Sequence, residues 1–122
     1  NLASSPQKAF PKMTDEKTAR IRELNDQLRA SGQGGLILVT RGLLEFGFPF
    51  AAQVRAAIAR ETNFPAGNDP YNEHDFGAID IEGNRVLWKI DYYDLDRRYA
   101  SDDPSDPNIT QRVMTIMLAD EY

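Results

Sequence analysis

The single histidine, His74, sits in the run Asn68-Asp69-Pro70-Tyr71-Asn72-Glu73-His74-Asp75-Phe76-Gly77, and eleven residues after it comes Trp88-Lys89-Ile90-Asp91-Tyr92-Tyr93-Asp94, which holds the only tryptophan. An imidazole beside a carboxylate has its ring orientation fixed and its basicity raised, as a general base requires. The acid–base candidates are His74 as base, Asp91 as the residue that orients it, and Glu73 or Tyr93 as acid. Asn68, Asp69, Tyr71, Asp75, Lys89 and Asp94 complete a candidate binding set. Each also has a structural explanation. Lys89 between Asp80 and Asp91 makes a cross-strand ion pair, Trp88 and Tyr92 suit a core, and Asn68-Asp69-Pro70-Tyr71 suits a side-chain-stabilised turn.

A hairpin is expected to bring the two motifs together. Asp75–Glu82 and Arg85–Tyr93 flank Gly83-Asn84, a two-residue turn signal. With the turn on those residues, Ile79 faces Trp88 and Gly77 faces Ile90, while His74, Lys89, Asp91 and Tyr93 share the opposite face and His74 lies diagonal to Asp91. Asp75 then points with the apolar set, where a carboxylate needs a partner. Arg41, Arg97 and Arg98 are the candidates.

Around the hairpin, Ile21, Leu24 and Leu28 repeat at helical spacing before Gly32, giving a helix over about 15–30. Leu36–Thr40 is an unbroken apolar run suited to a strand covered on both faces. Phe50, Val54 and Ile58 mark a helix over about 49–62, with Pro49 in its first turn. Asp106-Pro107 suits the start of a last helix over about 107–120, with Val113, Ile116, Met117 and Ala119 inward. Residues 1–12 lack a period and are expected to be a flexible arm, leaving 13–122 as a single domain. The expected class is α+β: a small, mainly antiparallel sheet, made of one strand and a hairpin, with about three helices packed on it.

Composition narrows the function. The 122 residues carry a net charge of −5, with 41% apolar residues and no cysteine. Disulfides, thiolate zinc sites and cysteine nucleophiles are therefore absent, and one histidine cannot build a two-histidine zinc site. Acidity argues against direct nucleic-acid binding. No apolar run approaches the roughly 20 residues of a membrane span. Metal binding is only weakly indicated: Glu73, His74, Asp75 and Asp91 are suitable donors, but neighbours on a strand alternate faces, so Glu73, His74 and Asp75 converge only where the chain bends. Asp80, Glu82 and Lys89 only faintly echo a nuclease core, at the wrong spacing. There is no phosphate-cradling glycine loop and no nucleophile-elbow serine, and no cofactor is expected.

The two motifs, together with the ending Arg112-Val113-x-Thr115-Ile116-Met117-Leu118-Ala119-x-Glu121-Tyr122, resemble the bacterial domain of unknown function 3768 family from about Ile21 onward. Asn72 departs from the glycine expected in relatives, but asparagine tolerates the left-handed backbone. The resemblance implies small cytoplasmic bacterial proteins, many carried on plasmids, and brings no activity, ligand or catalytic residue. The leading expectation is a non-enzymatic module that binds a protein partner through the polar hairpin face and loops 65–74 and 94–106. One version is an acidic inhibitor of a defence or nucleic-acid-processing protein. The alternative is a small hydrolase or lyase centred on His74.

Overall fold

The chain is seen in a computed structural model, which describes residues 4–122, with side chains from residue 15 onward. The arm expected over residues 1–12 lies outside the residues described in full. Ile21, Leu24 and Leu28 are buried along one stripe of α1 (Ser4–Ser31). Gly32 ends that helix in the left-handed region, at φ 80°, and its amide donates to Leu28 O at 2.8 Å, as a glycine C-terminal stop does. The chain continues through β1 (Leu36–Val39), a four-residue α2 (Arg41–Leu44), α3 (Phe48–Ala59), β2 (Phe76–Ile81), β3 (Asn84–Tyr93) and β4 (Gln111–Leu118), then a 3-10 turn over Ala119–Glu121.

The strands form one sheet in the order β1-β4-β3-β2. β1 runs parallel to β4, and the other pairs are antiparallel. The class is α+β, and the sheet is mixed. All three helices bury one face of it: Leu28, Leu43, Phe50, Val54 and Ile58 meet Ile81, Val86, Trp88, Ile90, Met114 and Ile116. Removing each such side chain from water contributes roughly 1.5–3 kcal/mol. Trp88 fits because its cross-strand partner is Gly77, where a Cβ would collide with the indole.

Two expectations are overturned. The helix expected over 107–120 is instead β4. Its apolar positions 113, 116 and 117 fit a helical stripe, but Met114 is buried as well, so Val113, Met114, Ile116 and Met117 fill both faces. β1 and β3 pair with it on either side, and Val113, Thr115 and Ile116 are β-branched, which suits an extended central strand. Asp106 makes a turn instead of a helix cap, its carboxylate accepting from the amide of Asn108 at 2.9 Å. The run Leu36–Val39, expected to be covered on both faces, is an edge strand with Leu36 and Leu38 exposed.

The hairpin forms one residue earlier than Gly83-Asn84 predicts. Ile81 pairs with Asn84 and Ile79 with Val86, so the two turn residues are Glu82 and Gly83, at φ 51° and 81°. Both are left-handed, as this turn type demands. Moving the turn by one residue moves each pairing by two, which keeps every side chain on its expected face. Glutamate is a poor left-handed residue. Glu82→Asn is therefore expected to stabilise the fold by about 0.5–1 kcal/mol, measured as a rise in urea midpoint. An unchanged or lowered midpoint would contradict this turn geometry.

Candidate functional site

β3 divides the candidate residues between its two faces. On the helix-free face Lys89 donates to the carboxylate of Asp91, and this bond raises the ammonium pKa above its usual value. A shallow groove there is lined by Lys89, Asp91 and Tyr93 with Leu38, Asp96 and Arg97. Asp80 is paired with Arg85 at 3.0 Å instead of with Lys89. Asp94 closes the loop after β3, its carboxylate accepting from the amide of Arg98 at 3.0 Å and its own amide donating to Tyr99 O at 2.8 Å.

His74 is not on that face. The strand begins only at Phe76, because the preceding loop curls. Asp69, whose side chain is almost sealed from solvent, accepts from the amides of Glu73 at 2.9 Å and His74 at 3.1 Å. Asn72 and His74 take left-handed φ values of 59° and 55°, so the tolerance expected of Asn72 is used. The kink turns the imidazole toward α1. Nδ1 lies 2.8 Å from Asp26, and the ring stacks on Phe64 with centroids 3.7 Å apart. Its other nitrogen is 3.8 Å from Asp69. The expected His74–Asp91 neighbour relation is therefore replaced by His74–Asp26. The quartet divides, with His74 and Glu73 on the α1 side and Asp91 and Tyr93 on the open face.

Beside His74 lies a buried polar network. Asn25, with no exposed surface, donates to Glu73 O at 3.0 Å and to the Tyr92 hydroxyl at 2.8 Å, and accepts from Arg112 Nε at 2.8 Å. Tyr92 donates to the Glu73 carboxylate at 2.7 Å. Burial, reinforced by that bond, pushes its phenol pKa far above the usual range. Arg112 also donates to Pro104 O and lies over the Tyr92 ring; burial lowers its pKa. Arg29, nearly sealed, bonds Asp26 at 2.7 Å and Glu61 O at 3.2 Å and lies over Phe64. Asn25, Asp26, Arg29 and Arg112 are absent from the sequence-based set. Asn25 was detectable as a polar residue one step from Leu24 on the apolar stripe of α1, whereas Arg112 was hidden by the helical reading of β4.

Asn68 and Tyr71 belong to the turn that carries Asp69, and Tyr71 is 75% exposed. Tyr71 and Glu73 line a second cleft with Asp15, Thr18 and Arg22, and Arg22 donates to Asn72 O at 2.9 Å. Among the described residues, no three histidine, aspartate or glutamate side chains are placed to hold a metal. No described helix is long and apolar enough to cross a membrane.

Asp75 is half-buried, and among the described residues it forms no ion pair with Arg41, Arg97 or Arg98. Burial, with Glu73, Asp69 and Asp91 nearby, raises its pKa. The folded chain therefore holds this proton more firmly than the unfolded chain. Asp75 favours folding at acid pH, and that contribution is lost as pH rises through the raised value. Asp75→Asn is expected to raise the thermal midpoint at neutral pH by about 1–4 °C, after allowance for solvent screening, with the gain shrinking on acidification. A lower midpoint for the variant at neutral pH would show that the carboxylate is stabilising.

No curated protein and no solved structure matches the chain. The family described as "Protein of unknown function (DUF3768)" matches residues 39–121, well over half of the chain. That span takes in the histidine loop, the hairpin and β4 together, and the chain belongs to this family.

Proposed function

We propose that the protein is a non-enzymatic binding module that engages a protein partner through the helix-free face of its sheet. The observation that carries this reading is the sheet's one-sided cover. Every helix residue of the main core cluster packs against the same face, while on the other face Val113 and Met117 are buried but Leu36 and Leu38 remain 38% and 48% exposed. Leu38 adjoins the Lys89–Asp91 pair, Tyr93, Asp96 and Arg97. Apolar anchors beside a tyrosine, with charged residues around them, suit a protein interface. The loop after β3 contributes Asp96 and Arg97 to this surface. Loop 65–74, expected to join it, packs against α1 instead.

The placement of His74 supports this reading over the hydrolase or lyase alternative. One ring nitrogen is taken by Asp26, a ring face is covered by Phe64, and two of its proposed helpers lie on the other side of β3. The acidic charge of −5 is also in keeping with a partner that carries a basic surface, such as a nucleic-acid-processing protein targeted by an inhibitor.

The test compares the wild-type chain with Leu38→Asp and Tyr93→Ala as baits in a bacterial lysate, with thermal midpoints measured alongside. Capture of a discrete protein that falls at least about tenfold in both variants, at unchanged midpoint, is expected. Capture that survives both changes would remove the sheet face from the proposal. Ester or phosphoester hydrolysis lost in a stably folded His74→Gln variant would establish the enzyme alternative.

A further inference from the structure

The turn from α2 into α3 exposes more apolar surface than its neighbours can cover. In Leu43-Leu44-Glu45-Phe46-Gly47-Phe48 only Leu43 is buried, and Phe48 is 82% exposed. Phe46 is also about half exposed, yet it is held in place, with its ring 4.9 Å from that of the buried Phe50. A hollow opens on either side of Phe46. One, of about 300 Å³, reaches Asn84 and Arg85 beside the hairpin turn, and the other, of about 470 Å³, lies against Gly42, Glu45 and Glu121. They share Phe46, Leu118 and Asp120, which makes them one groove astride an aromatic ring.

The groove is anionic and its wall is rigid. Glu121 accepts from the Thr40 hydroxyl at 2.6 Å, the Leu118 amide at 2.9 Å and the Gly42 amide at 3.1 Å. A Cβ at Gly42 would strike that carboxylate. The bonds hold its pKa below the usual range, so it remains charged well into acid. Glu45 and Asp120 form no ion pair among the described residues, and the lining guanidinium of Arg85 is engaged by Asp80 at 3.0 Å.

We infer that this groove docks a basic amphipathic segment of a partner protein, with apolar side chains seated beside Phe46 and Leu118 and lysine or arginine facing Glu45 and Asp120. Charge complementarity selects that occupant. Nucleic acid would bring phosphate to a carboxylate rim, and a second copy of this chain would bring another acidic rim. Exposed apolar residues rimmed by charge are the usual receptor for such a segment. The site lies apart from the helix-free sheet face and does not depend on that assignment.

Fluorescence anisotropy on the full chain tests it, with a labelled leucine–lysine helical peptide and its leucine–glutamate counterpart as probes. The lysine peptide is expected to bind at least about tenfold more tightly than the glutamate peptide. Phe46→Ser and Asp120→Lys, both at exposed positions lining the groove, are each expected to weaken it by about tenfold or more, and Leu38→Asp is expected to leave it unchanged. Equal binding of the two peptides, full affinity in both groove variants, or an equal loss in Leu38→Asp would overturn the assignment.

Discussion

The carboxamide of Asn25 ties together three stretches of chain that are distant in sequence. From the C-terminal part of α1 it holds the backbone of the histidine loop, the phenol of β3 and the guanidinium of β4, with no solvent access. An amide buried this deeply has to satisfy its donors and acceptor inside the protein, since each unmet group costs about 1–3 kcal/mol. That requirement fixes the height and rotation of α1 over the sheet. It also makes the burial of Arg112 tolerable, because the arginine gains the Asn25 oxygen, the Pro104 carbonyl and the face of Tyr92. Networks of this kind restrict a fold to one arrangement more than they add net stability.

Much of the polar motif is explained by this architecture. Asp69 organises the curl of the loop, Asn72 supplies a left-handed residue, and Glu73 accepts from Tyr92. His74 closes the gap between α1 and Phe64. These residue types would equally suit an acid–base site, and what separates the two roles is whether their polar atoms converge on open space or on one another. Here most of them are bonded to one another. Asp75 is the exception, a half-buried carboxylate surrounded by others, and its charge works against the fold at neutral pH.

The surfaces left over are those the internal network does not consume. One is the helix-free sheet face, where Leu38 of an edge strand adjoins paired charges. The other is the groove around Phe46, lined by Leu118 and Ala119 together with Glu45, Asp120 and Glu121. Their different chemistry suits different contacts, so a chain this small has room for two separate interactions.

Residue types and their spacing were enough to define α1, α3 and the β2–β3 hairpin. The apolar repeats set α1 and α3, Gly32 ended the first helix, and the alternation of Val86, Trp88, Ile90 and Tyr92 told which face of β3 is core. These depend on periodicity and backbone preference, which act over a few residues. Tertiary structure decided what depended on distant neighbours. Val113–Met117 satisfies helical and extended periods alike, and only the presence of β1 on one side and β3 on the other makes it a strand. Likewise, the direction of the His74 ring follows from hydrogen bonds to Asp69 and from Asp26 waiting 48 residues away on α1. Alternation along a strand could not reveal that, because the left-handed kink before Phe76 breaks the alternation at the histidine itself.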